Sequence, residues 1–132
     1  MAPVIVPIYA AVLALIYIGL ALRVIRSRQG ARIAIGTGGN TGLARAIRVH
    51  GNFAEYVPLS LLLLAFLEMQ GRPSRWMHVL CLALVAGRLV HAYGVSQEQE
   101  NILFRTIGMV TTFAVLASSS VSLLAGALDL AS

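Results

Sequence analysis

Arg45, Arg48, Asn52 and Glu55 follow one another at spacings of three and four along an otherwise apolar run. At about 100° per residue a helix collects these four side chains within an arc of about 80°, a single polar stripe. His50 falls on the far side of the same helix. In a later apolar run Arg88 and His91 stand three apart and share a face, while Tyr93 is turned away from Arg88. Arg105 heads a heptad-spaced line continued by Thr112 and Ser119. The chemistry this set suggests is anion binding. A guanidinium is permanently charged and presents a planar fork of donors that suits carboxylates and other anions. Acid is scarce at the same level, because Glu55 is the carboxylate within the runs there, Glu68 lies toward the opposite end of its helix, and Glu98 and Glu100 lie in a polar link.

A charged residue at the centre of a membrane helix costs about 2.5–3.5 kcal/mol on insertion scales. A bundle that keeps Arg48, Glu55 and Arg88 must pair them or line a polar cavity with them. Two readings are open. In one, Glu55 pairs with Arg88 and Arg45 reaches the headgroups, giving an ion-paired bundle without a ligand. In the other, the excess of guanidinium over carboxylate receives an external anion.

The elements that must position these groups are membrane spans. The chain has 132 residues, 58% of them hydrophobic and 11% charged, against about 25% charged in soluble domains, and its mean hydropathy is +0.84. Residues 4–22, 43–69, 76–95 and 105–128 each reach the roughly 20 residues needed to cross the hydrocarbon. The expected fold is therefore a single all-α membrane domain over residues 1–132, a bundle of four transmembrane helices. The first run has no basic segment before it and ends in Arg23, Arg26 and Arg28 rather than a cleavage site, so it reads as a retained helix. Gly71-Arg72-Pro73-Ser74 is a tight turn, and Ser96 to Asn101 links the last two spans. The first loop and its flanks hold Arg23, Arg26, Arg28, Arg32, Arg45 and Arg48 against Arg72 and Arg75 in the second. By the positive-inside rule both termini lie outside and the arginine-rich level faces the cytoplasm.

Other function classes fit less well. All ten basic residues are arginine, but most flank or enter apolar runs, so nucleic acid is not the expected partner. Gly36-Thr37-Gly38-Gly39-Asn40-Thr41-Gly42 follows no strand and matches no phosphate-loop pattern, and reads as a flexible linker. His50, His78 and His91 form no close-spaced metal-ligand pair, so no metal is expected. Cys81, the one cysteine, reads as a small buried apolar residue. A transporter is disfavoured, since there is no internal repeat and Pro58 only offers a kink just beyond Glu55.

The segment Arg45-Ala46-Ile47-Arg48-Val49-His50-Gly51-Asn52-Phe53-Ala54-Glu55-Tyr56-Val57-Pro58 resembles the second-helix signature of the MAPEG family, the membrane-associated proteins of eicosanoid and glutathione metabolism. Trp76-Met77-His78 followed by Gly87-Arg88-Leu89-Val90-His91-Ala92-Tyr93 is similar to that family's third helix. The resemblance implies a homotrimer that binds glutathione between neighbouring subunits in the cytoplasmic half of the membrane. Carried over by position, Arg48, Asn52 and Glu55 would hold the tripeptide, with Arg88 and His91 or Tyr93 contacting it from the third helix. Arg23 or Arg26 would come from the partner subunit, and Arg105 would stabilise the thiolate. The implied activity is transfer of glutathione to a lipophilic electrophile, or reduction of a lipid peroxide, with that substrate arriving from the bilayer. Gly51 stands where some catalytic members have arginine, and Met109 where some have tyrosine. The family also contains a non-catalytic lipid-binding member, so a lipid- or partner-binding protein of the same fold is the alternative. Arginine used without lysine, alongside abundant alanine, points to a bacterial inner membrane.

Overall fold

The structure is a computed structural model that describes residues 2–131, the side chains of residues 130 and 131 excepted. It consists of four helices: α1 (Ile5–Ala31), α2 (Thr41–Met69), α3 (Ser74–Ser96) and α4 (Ile102–Ala131). Among the described residues there is no strand. Each helix is long and apolar enough to cross a membrane. The all-α architecture and the four apolar helices agree with the sequence expectation, but α1 is longer than its apolar run and continues through Arg23, Arg26 and Arg28. Arginine is a good helix former, and its long stem lets the charged head reach water while the backbone stays helical.

α2 and α3 occupy the middle of the bundle. α1 packs on both of them and α4 packs on both of them, while α1 and α4 do not pack on each other among the described residues. Leu13, Phe53, Leu64, Met77, Leu84 and Val115 are among the buried apolar residues between the helices, and Cys81 is buried with them. Large apolar side chains such as Leu15, Val79, Leu82, Val110 and Leu124 are more than half exposed on the outside of the bundle. That is the surface a helical bundle presents to lipid.

Apolar side chains gain little from leaving lipid for a helix interface, so close backbone approach and interhelical hydrogen bonds do more of the work. The α3–α4 contact is built on glycines. A Cβ on Gly108 would lie 2.5 Å from the Gly87 carbonyl oxygen and 2.6 Å from the backbone nitrogen of His91. One on Gly94 would lie 2.7 Å from the Arg105 nitrogen. Only glycine lets these helices meet at this distance, and it is this distance that brings the start of α4 against the end of α3.

The two ends of the bundle are tied differently. At the end bearing the 70–73 turn, the Glu68 carboxylate accepts the backbone N–H groups of Val4, Ile5 and Val6 at 2.8, 2.6 and 2.8 Å. A carboxylate on α2 thus caps the N-terminus of α1, whose first N–H groups have no partner within their own helix. Tyr9 and His78 share a hydrogen bond of 2.8 Å across α1 and α3, and Arg72 donates to the Ser122 carbonyl of α4 at 2.8 Å. Gly71, at φ 78°, turns the chain between α2 and α3.

At the other end, the 32–40 loop departs from the expected flexible linker. Arg28 Nη1 donates to the carbonyls of Ala34 and Gly36 at 3.2 and 3.0 Å, with the Ile33 carbonyl at 3.5 Å, so the loop folds back over α1. The guanidinium supplies donors that a short irregular segment cannot find in its own backbone. Asn40 then caps α2 by accepting from the Leu43 N–H at 2.8 Å.

Candidate functional site

Arg48, Asn52 and Tyr56 recur at i, i+4 and i+8 along α2 and reach one face of it. His91 and Val95 on α3 and Arg105 and Met109 on α4 repeat the same four-residue step. Together these seven side chains line a cavity of about 210 Å³ between the three helices, near the end that carries the 32–40 and 97–101 loops. Four-residue steps on three helices that meet at one level give the cavity its wall. The α3–α4 glycines bring the last two of these helices into register.

Behind that wall lies Arg88, whose residue is 1% exposed. Its Nη2 donates to Asn52 Oδ1 at 2.5 Å and to His91 Nδ1 at 3.1 Å. Its Nη1 reaches Thr112 Oγ1 at 3.4 Å and Met109 Sδ at 3.7 Å. The rings of Phe53 and Tyr56 lie 6.0 and 5.9 Å from the guanidinium carbon, close enough for cation–π attraction. Arginine can only donate, so His91 Nδ1 accepts. Thr112 hands its own proton to the Gly108 carbonyl at 2.8 Å, which leaves its oxygen free to accept from Arg88. Arg88 Nε is buried without a partner among the described residues. Every partner of this cation is neutral, and the Glu55–Arg88 pair of the ligand-free reading does not form.

The rim is held by arginine side chains. Arg45 donates to the Val95 carbonyl at 3.3 Å and to the Glu98 carbonyl at 2.9 Å, tying α2 to the 97–101 loop. Arg23 of α1 donates to Ser96 Oγ at 2.6 Å. Arg105, exposed at the mouth, pairs with Glu100 at 2.8 Å.

The structure therefore brings Arg48, Asn52, His91 and Arg105 together around one cavity, with Arg88 against its wall. Three other expected site residues lie outside the cavity within this chain. Glu55 is exposed on α2 and makes no hydrogen bond or ion pair among the described residues. Arg26 is exposed on α1. Tyr93 is 57% exposed and packs its ring on Phe104, with centroids 5.7 Å apart. His50 faces α1, as its position on the helix requires, and stacks on Tyr17 at 4.8 Å. Tyr56 and Val95 also line the cavity, and a reading restricted to charged stripes passes over them. The signal for each is its four-residue step from Asn52 and His91.

On the opposite side of α2 an apolar groove of about 450 Å³ opens between α1 and α2, lined by Ala10, Ala14, Tyr17, Phe53, Val57 and Pro58 among others. Phe53 lines this groove and also lies against Arg88. One aromatic ring thus stands between lipid-facing space and the buried guanidinium.

Comparison with known proteins gives two results. The model of the MAPEG family matches residues 6–125. The inner membrane protein YecN of Escherichia coli strain K12 is 38% identical over 109 residues, which covers 83% of this chain and 82% of that protein. The same protein from E. coli O6:H1 matches to the same extent.

Proposed function

This chain belongs to the MAPEG family, and from that premise we propose that it is a glutathione-binding protein of the bacterial inner membrane which transfers the thiol to lipophilic electrophiles or reduces lipid peroxides. The observation that carries this reading is the cavity itself. Arg48 and Arg105 line a polar space inside an apolar bundle, Arg88 adds a third guanidinium behind it, and no carboxylate lines it. An anionic tripeptide meets that need. A free thiol with a pKa near 8.5 is only a few per cent ionised at neutral pH, and each unit by which a neighbouring charge lowers that value is worth about 1.36 kcal/mol. Arg105 stays charged and can stabilise the thiolate without moving a proton itself. The lost proton leaves through the open mouth to water. Arg48, Asn52 and His91 orient the peptide and supply proximity.

A volume of 210 Å³ is below the roughly 300–1,000 Å³ of complete small-molecule sites. The cavity takes part of a tripeptide, and the rest lies along the exposed edge of α2 near Arg48 and Glu55. An unpaired Glu55 on a membrane helix calls for cover. A neighbouring copy supplies it in the homotrimer that the family resemblance implies, with Arg26 of α1 facing the shared site. The orientation that goes with this reading has both termini outside and the cavity toward the cytoplasm. The second substrate enters from the bilayer, and the groove beside Phe53 is apolar space open to it.

Met109 favours a second reading. It occupies the position of the tyrosine found in some catalytic members, and its sulfur is turned to Arg88. Under this reading the protein binds lipid or a protein partner without catalysis. Glutathione titration of the detergent-solubilised protein, followed by thiolate ultraviolet absorbance, separates the two. The glutathione reading expects saturable binding with a thiolate signal. Arg105→Ala should cut the thiolate fraction by about tenfold, equivalent to one pKa unit, while S-methylglutathione still binds. Absence of saturable binding in the unmodified protein removes the glutathione reading.

A further inference from the structure

Glu100 sits immediately before α4 in a loop with little freedom. Next to it, the Asn101 N–H donates to the Gly94 carbonyl at 3.0 Å, and the Asn101 carbonyl accepts the Arg105 N–H at 3.0 Å. The Asn101 side chain accepts the Phe104 N–H at 3.1 Å, and Arg45 holds the Glu98 carbonyl at 2.9 Å. Gly94 leaves no space for a Cβ against this turn. The backbone at Glu100 is therefore held beside the start of α4, and its carboxylate lies 2.8 Å from Arg105 Nη1. Arg105 lines the cavity and Glu100 does not. The guanidinium thus meets a carboxylate outside the lining and also borders the space a ligand anion would take.

We propose that Glu100 is the resting counter-ion of Arg105 and sets how strongly the cavity ionises a thiol placed in it. This rests on the glutathione reading and adds the residue that tunes it. Two effects of the carboxylate oppose each other. It orders Arg105 toward the cavity, which favours the thiolate. Its negative charge, one guanidinium away from the sulfur, disfavours the thiolate. The side chains of Arg105 and Glu100 are 44% and 30% exposed, and pairs that exposed contribute little order. Exposure screens the charge term as well, but that term acts at short range at the edge of an apolar bundle and remains the larger one. Removing the charge therefore makes the bound thiol more acidic.

The other charged or titratable groups around this position are Arg45, Arg48 and Tyr56 on α2, Arg88, His91 and Tyr93 on α3, Glu98 in the loop, and Arg23 reaching Ser96 from α1. Of these, His91 also feels the Glu100 charge, and because His91 lines the cavity, a ligand without a thiol is needed to read that route separately from the thiol.

The test uses the full-length protein in detergent, as wild type, Glu100→Gln and Glu100→Ala. Each is titrated with glutathione and with S-methylglutathione, and the pH midpoint of the thiolate absorbance is read with glutathione bound. In both variants the midpoint should fall by about 0.5–1 pH unit, and glutathione should bind about three- to tenfold more tightly near neutral pH. S-methylglutathione, which has no thiol to ionise, should change by less than about twofold on the same argument. A midpoint that rises makes Glu100 an orienting group for Arg105 and overturns the proposal. So does an unchanged midpoint with glutathione still bound. Equal tightening of both ligands also overturns it, because it assigns the effect to the peptide carboxylates. If one variant cannot be recovered from the membrane, the other makes the same comparison. If the wild type binds neither ligand, the glutathione reading falls and this proposal with it.

Discussion

Replacing Gly108 by alanine tests whether the α3–α4 contact is what assembles the site. The added methyl would sit 2.5 Å from the Gly87 carbonyl oxygen and 2.6 Å from both the backbone nitrogen and the Cβ of His91. Comfortable non-bonded separations are about 3.5 Å, so the helices must part locally by roughly 1 Å. Two of the clashing atoms are backbone and cannot rotate away. Overpacking of this kind costs about 1–3 kcal/mol, while alanine returns up to about 1 kcal/mol of helix propensity over glycine. The net expectation is a loss of about 1–2 kcal/mol. The functional loss should be larger, because the same shift carries Arg105, Met109 and Thr112 away from His91 and Arg88, and displacements near 1 Å at such sites can cost about 100-fold. Gly51→Ala is the internal control, since nothing lies within 4 Å of a Cβ there. It lies on α2 beside Asn52 and should leave stability unchanged or raise it slightly. The assay is thermal unfolding in detergent by circular dichroism, together with glutathione titration. A Gly108→Ala protein as stable as Gly51→Ala, with unaltered binding, would refute the argument that close backbone approach builds this site.

The buried cation and the capped helix give two further tests. Asn52→Ala leaves Arg88 without the acceptor 2.5 Å from its Nη2 and should destabilise the bundle by about 1–3 kcal/mol, whereas Arg88→Met removes the charge and should cost much less or even stabilise. Both should weaken glutathione binding, and the stability order Arg88→Met above Asn52→Ala is what unfolding measurements have to reproduce. Glu68→Gln halves the acceptor capacity that now serves Val4, Ile5 and Val6 and should cost about 1–2 kcal/mol. Cysteines placed on α1 near Ile5 should then label faster with a membrane-impermeant thiol reagent, and unchanged labelling and stability would contradict the capping role.

Some of this was legible in the sequence for simple reasons. Four helices follow from apolar length, and the common face of Arg48 and Asn52 follows from helical period. Period places a Cβ but says nothing about where a long side chain ends. Arg45 and Arg48 share a stripe, yet Arg45 reaches loop carbonyls and Arg48 lines the cavity. Glu55 shares the same stripe and turns outward. The role of Glu68 was invisible because its partners are backbone N–H groups about sixty residues away in sequence. Gly87, Gly94 and Gly108 carry no signal in a single sequence, since what they do is leave room, and room appears only when both helices are present. Glu100 reads as part of a polar link, and its pairing with Arg105 appears only in the folded chain.

The neutral partners of Arg88 explain why a bare cation is retained inside a membrane bundle. A carboxylate there would have met the same donors and cancelled the charge. Asn52, His91, Thr112 and Met109 meet most of them and cancel nothing. The positive charge of Arg88 therefore persists behind the cavity wall, next to those of Arg48 and Arg105 at its surface. Among the apolar side chains that bury it, that charge is screened less than one in water and acts on whatever enters the cavity. Among the described residues the carboxylate paired with an arginine of this group is Glu100, and it sits outside the lining, where an exposed pair can be exchanged at small cost. The fold thus keeps its fixed compensation neutral and its charged compensation at the mouth. An arrangement serving stability alone would dispense with the buried cation, since an apolar side chain of similar volume packs there without the cost of desolvating a charge.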